Sequence, residues 1–248
     1  MRQPKKLKAI SPTQTRRNKS VTSFTAMKIP LLVLCALMLS VANLPAENTD
    51  TVLARMNEIA LTFKGMSASV SMTVFTKIID DKSVETGTLQ MQRLPGKPTR
   101  ALLKLSSPTD AHTVFLFDST VRVYTPKLKL IKDYNVGKTS DLLDQFLLLG
   151  FGSSGKDLVE SYEVNNAGTE KILGQETTHL VLLPKSDKVK EKIAKVEVWF
   201  PIGRAYPVQQ QFFEPNGNYR ITTYTDTVIN PPFKKNLEFK APPGTKSE

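Results

Sequence analysis

Cysteine occurs once in the 248 residues, tryptophan once and histidine twice. The single cysteine, Cys35, lies inside the apolar run Ile29–Ala42 (IPLLVLCALMLSVA). No disulfide within the chain can form, and no cysteine-based metal site is available. His112 and His179 each fall within a strand-like pattern, with no acidic cluster beside them, so a zinc site lacks ligands. No G-x-S-x-G elbow occurs, and a hydrolase nucleophile has no local signature. The chain therefore reads as a non-enzyme, with no catalytic residue, metal or cofactor.

Acidic residues are missing from one region altogether. Residues 1–46 carry eight basic side chains (Arg2, Lys5, Lys6, Lys8, Arg16, Arg17, Lys19 and Lys28) and no acid. Taking these eight from the 34 Lys and Arg leaves 26 against 23 Asp and Glu, so +11 falls to about +3. A nucleic-acid partner is excluded as a reading of charge, because the excess sits in a targeting segment. A long apolar run is missing as well: 14 residues fall short of the ~20 of a membrane-spanning helix. Small residues at Ser40, Ala42 and Ala46 make it a signal peptide cleaved after Ala42 or Ala46. The expectation is export to the periplasm. Residues 1–26 are a long basic lead-in or a start assigned too early, with Met27 as the favoured true start. Leu34 before Cys35 argues against lipidation there, since a small residue is required. The domain expected to follow is 47–248.

What is present is periodicity. Val52, Leu53, Met56, Ile59, Ala60 and Phe63 recur at helical steps, with Asn48, Thr49 or Asp50 as N-cap and Gly65 beyond the end. Then the period drops to two. Val70, Met72 and Val74 alternate with Ser69, Ser71 and Thr73, and Leu89, Met91 and Arg93 share one parity. Val121/Val123, Leu128/Leu130, Val196/Val198/Phe200 and Val208/Gln210/Phe212 continue the alternation. Turn signals at Asp80-Asp81, Pro95-Gly96, Pro108–Asp110, Asp118-Ser119, Pro215–Gly217 and Pro231-Pro232 separate the runs. The pattern predicts a mainly β fold: a curved antiparallel sheet or incomplete barrel of about ten or eleven strands. One face should be dry and the other wet. Two apolar helical segments, 50–63 and 140–151, are available to cover the dry face. The second follows the N-cap cluster Thr139–Asp141 and supplies a lid of Leu142, Leu143, Phe146, Leu147 and Phe151. A short helix is expected near Lys156–Glu160.

Two motifs carry less than they suggest. Gly150–Gly155 reads G-x-G-x-x-G, but a helix precedes it and no parallel βαβ unit surrounds it, so it reads as a flexible connection. Lys185–Lys195 (KSDKVKEKIAK) reads as a solvated mixed-charge turn, with contact to an anionic membrane as its alternative.

The order of features has a counterpart. An opening helix is followed by GTLQMQRLPGKPTR (Gly87–Arg100), LSSP (Leu105–Pro108) and VRVYTP (Val121–Pro126). The lid segment, LLP (Leu182–Pro184), an EPNGNY turn and F-x-A-P-P-G (Phe239–Gly244) complete the series. From Asp50 to Gly244 this resembles the periplasmic outer-membrane lipoprotein carrier (LolA-like) family. The resemblance implies an incomplete barrel that holds lipoprotein acyl chains. It also implies an inner-membrane ABC transporter as donor and an outer-membrane receptor as acceptor, with the carrier a monomer. Family members place an inward arginine on the second strand as a latch to the lid, and the matching residue is Arg93. Leu94 stands between Arg93 and Pro95, and Asp118-Ser119 replaces the usual Asp-Gly turn. Alternation and resemblance together give the cavity lining as Val70, Met72, Leu89, Met91, Val121, Val123, Val196, Val198, Val208 and Phe212. Related proteins on the same fold that bind other envelope lipids or sense envelope stress supply the alternative function.

Overall fold

The first helix forms where the apolar spacing puts it. In the computed structural model, which describes residues 47–107, 110–137 and 148–248, helix α1 spans Thr49–Thr62. Asn48 is its N-cap, accepting the Asp50 N–H through its side chain at 3.1 Å, and Val52 and Met56 are buried. All described residues belong to one compact unit. The signal-peptide segment and the lid positions Leu142, Leu143, Phe146 and Leu147 lie outside the described residues.

After α1 the chain runs as strands. They are β1 Gly65–Thr76, β2 Asp81–Gln92, β3 Arg100–Ser106, β4 Ala111–Phe117, β5 Thr120–Thr125 and β6 Leu130–Asn135. Helix α2 (Gly155–Ser161) precedes β7 Tyr162–Ile172 and β8 Gln175–Pro184. A short helix α3 (Asp187–Lys190) leads to β9 Lys195–Pro201, β10 Gln209–Phe213, β11 Tyr219–Ile229 and a two-residue β12, Lys246–Ser247. These form one open 12-stranded sheet in the order β12-β6-β5-β4-β3-β2-β1-β11-β10-β9-β8-β7. Every pairing is antiparallel except β12 on β6, which is parallel and accounts for the strand beyond the ten or eleven expected. Register slips at Ser67/Ser69 in β1 and at Asn166/Gly168 in β7 are the bulges by which such a sheet bends. Gly87 marks another close point: a Cβ there would stand 1.8 Å from the Lys104 carbonyl oxygen of β3.

Two expectations need correction. Leu128 and Leu130 do not share a strand; Pro126–Leu128 form a 3₁₀ turn, Lys129 takes φ 48°, Leu128 is 64% exposed, and β6 begins only at Leu130. Nor is the convex face uniformly wet. Leu237 and Phe239 pack on Leu102, Phe115 and Phe117, on the outside of β3 and β4. The Gln92 side-chain oxygen accepts the Leu237 N–H at 2.6 Å, which fixes that strap.

The concave face divides in two. Over β7–β9 it is filled: α1 (Val52, Met56), Leu149 and α2 (Leu158) pack on Leu180, Leu182, Val196, Val198 and Phe200. Over β1–β5 and β10–β11 it encloses space.

Candidate functional site

That space is a cavity of about 400 Å³. A dry apolar cavity of ~150 Å³ is enough to take up benzene, so this one accommodates a longer hydrocarbon. Its walls alternate along the strands as period two requires: Val70 and Met72 from β1, Leu89 and Met91 from β2, Val121 from β5 and Phe212 from β10. Ala101, Leu103, Val114 and Leu116 of β3 and β4 complete the apolar wall. Phe151 closes one end, 2% exposed and edge-on to Tyr224 with ring centres 4.8 Å apart.

Four of the expected lining residues do not line the cavity. Val196 and Val198 pair with Phe212 and Gln210 and so share the concave face, but the helices fill the space opposite them. Val208 precedes β10 and lines a separate polar cavity of about 260 Å³ with Arg204, Tyr206 and Asp226. Val123 pairs with Val114 and is partly buried one step outside the lining set.

The closed end is fixed by polar contacts. Arg93, directly after β2, donates from Nη2 to the Gly152 carbonyl at 2.8 Å, and its guanidinium lies 5.4 Å from the Phe63 ring centre. Its own N–H donates to the Lys64 carbonyl at 2.9 Å. Arg93 thus joins β2, the end of α1 and the segment that follows the lid positions. Nearby, the Tyr224 hydroxyl donates to Gln210 Oε1 and Gln210 Nε2 donates to the Leu149 carbonyl, each at 2.6 Å. Burial pushes the Tyr224 phenol up, so it stays a neutral donor.

The G-x-G-x-x-G stretch belongs to this closure and is buried rather than loose. Gly150 has φ +76° and lies against Pro207. A Cβ at Gly152 would come within 2.6 Å of the Phe63 ring, and one at Gly155 within 2.4 Å of the Leu53 carbonyl oxygen. The glycines let segments of the chain approach closely, and no phosphate is needed to explain their spacing. Ser154 and Asp157 form a capping box that starts α2 immediately afterwards.

The opposite end is polar. Ile193, Glu214 and Arg220 stand there, where the cavity meets solvent. Arg220 had no sequence signal beyond its parity with Thr222 and Tyr224. The histidines lie elsewhere on strands: His112 Nδ1 is 3.6 Å from Glu85, and His179 stacks on Trp199 at 4.4 Å between Glu170 and Glu197. His179 and Trp199 pair on the face away from the filled core, remote from the cavity.

No known protein-family profile matches the chain, and no curated protein matches it in sequence. Solved structures do match. MucB is similar at 13% identity and a TM-score of 0.47, over 78% of this chain and 63% of that one. The lipoprotein LppX of Mycobacterium tuberculosis is similar at 16% identity and a TM-score of 0.45, covering 75% of this chain and 98% of that chain. A LolA superfamily protein of Nitrosomonas europaea gives 11% identity and a TM-score of 0.35, covering 75% and 95% respectively. The likeness concerns fold alone.

Proposed function

We propose that the protein is an exported carrier that holds acyl chains in the concave cavity and moves them across the periplasm. The carrying observation is the contrast within one face of one sheet: the helices fill half of it and leave about 400 Å³ of apolar-walled space over the other half. A chain selected only for stability would fill that space, because unfilled core volume costs free energy.

Energetics shape the rest of the reading. Burying a chain of ~16 carbons at ~0.8 kcal/mol per methylene is worth ~12 kcal/mol, yet a bilayer already satisfies that burial. Two or three such chains exceed the ~20 kcal/mol at which noncovalent affinity saturates. A carrier therefore takes cargo from an energy-driven donor and must release it readily. An inner-membrane ABC transporter as donor, an outer-membrane acceptor and lipoprotein acyl chains as cargo fit this requirement. In this reading Arg93 is the latch that ties the closing segment to the sheet.

The test is native mass spectrometry of protein purified from its own envelope, repeated on Leu103→Trp, which fills the cavity from β3. The carrier reading predicts co-purifying acylated species that Leu103→Trp loses while keeping its fold. Protein that emerges ligand-free and takes up no fluorescent fatty acid would overturn it.

A further inference from the structure

The cavity carries a charge that the acyl-carrier reading does not use. Arg220 lies on the concave face of β11, flanked in register by Phe212 of β10 and Val74 of β1. Thr222 and Tyr224 follow it along the same wall, and all three line the cavity. Among the described residues no ion pair or hydrogen bond engages its guanidinium. Three of the other polar lining residues, Gln210, Glu214 and Tyr224, have partners of their own. Tyr224 donates to Gln210, Gln210 in turn donates to the Leu149 carbonyl, and Glu214 Oε2 accepts the Asn216 and Asn218 side-chain amides at 3.1 and 3.2 Å.

Arg220 is exposed, yet it borders an apolar wall from a central strand, between a phenylalanine and a valine. Its planar fork of donors suits a carboxylate or phosphate oxygen pair. It stands at the solvent end, while Met72, Leu89, Met91 and Phe151 lead away from it into the cavity. We propose that Arg220 is a headgroup site. The cavity takes a single-headed anionic amphiphile, its chain running inward toward Phe151 and its carboxylate or phosphate resting on Arg220. The proposal rests on the acyl-binding reading and narrows its ligand class to acidic lipids.

The experiment is displacement of a neutral fluorescent acyl probe by laurate, lysophosphatidate, dodecanol and inorganic phosphate, on the full protein and on Arg220→Gln and Arg220→Lys. Circular dichroism verifies that both variants fold. Laurate and lysophosphatidate should displace the probe at roughly fivefold lower concentration than dodecanol at low salt, as a partly exposed ion pair allows, and added salt should erode the gap. Arg220→Gln should bring the acids to the dodecanol level, and Arg220→Lys should retain most of the difference. An acid preference that persists in Arg220→Gln, or is missing from the unaltered protein, would mean that Arg220 merely lays its stem over Phe212 and keeps its head in water. Displacement by inorganic phosphate as effective as by lysophosphatidate would overturn the amphiphile in favour of a bare anion site. Failure of all three amphiphiles to displace the probe would overturn both the site and the carrier reading, whereas equal displacement by acids and alcohol sinks only the site.

Discussion

The two halves of the concave face are built from the same kind of strand and end differently. Val198 of β9 and Gln210 of β10 are direct partners on one face, yet Val198 sits in a filled core and Gln210 borders a cavity. Alternation decides which side of a sheet a residue faces. What lies across from it decides whether that side becomes core or cavity. Over β7–β9 the opposing atoms are supplied by α1 and α2, locked together where Gly155 lets the Leu53 backbone come close. Phe212 stands on the border, packing against the filled core while lining the cavity.

Truncating one residue on each side separates the two halves most clearly. Leu180→Ala, from a fully buried residue of the filled half, should cost about 2–5 kcal/mol in urea unfolding, because its neighbours cannot collapse onto the gap. Leu103→Ala enlarges a space that already exists, and should cost about 1 kcal/mol. Equal costs would remove the distinction between the halves. Next in size, Gly155→Ala drives a Cβ toward the Leu53 carbonyl and should destabilise by about 1–3 kcal/mol. A neutral result would show that the helix pair yields easily.

Arg93→Leu tests the closed end of the cavity. It removes the bond to Gly152 and the contact with Phe63 while adding apolar surface. Secondary structure and loading should be retained, with release to an acceptor slowed in a transfer assay. Unchanged loading and release would rule out a latch.

The smallest effect concerns pH. Glu47 pairs with Arg55 in a fork, with Nη2 and Oε2 2.6 Å apart, and that hydrogen bond holds the Glu47 carboxyl below its ordinary 4.5. A depressed carboxylate contributes stability that is present above the unfolded value and is lost as pH falls through the folded one. Glu47→Gln should therefore lower stability by about 1 kcal/mol at neutral pH, and the gap should close as pH falls below 4.5 and through the depressed folded value. A gap that stays constant down to pH 3 would assign it to packing instead.

Much of this was legible in the sequence, for physical reasons that also mark where legibility ends. The helical spacing of Val52, Met56 and Phe63 and the alternation of Val70, Met72, Leu89 and Met91 each see one dry face, so the pattern shows. In β3 and β4 it does not show. Leu102 and Phe115 are covered on the convex side by Leu237 and Phe239, so Ala101–Leu103 and Val114–Phe117 read as continuous apolar runs. Ala101, Leu103, Val114 and Leu116 were missed as cavity wall for that reason. Val196 and Val198 failed in the opposite sense: their face was right, but the packing of α1 and α2 across from them is a tertiary fact with no local signal. Val208 and Leu128 failed locally, where the chain leaves strand geometry.

The same face is solid on one side and receptive on the other, and methionines report on both. Met56 lies in the filled half, and Met72 and Met91 line the cavity. Methyl NMR of methionine-labelled protein titrated with laurate separates the two sides. The Met72 and Met91 methyl resonances should shift in saturable fashion while that of Met56 stays in place. Shifts at Met56 with Met72 and Met91 unmoved, or no shift at any of the three at saturating laurate, would contradict this.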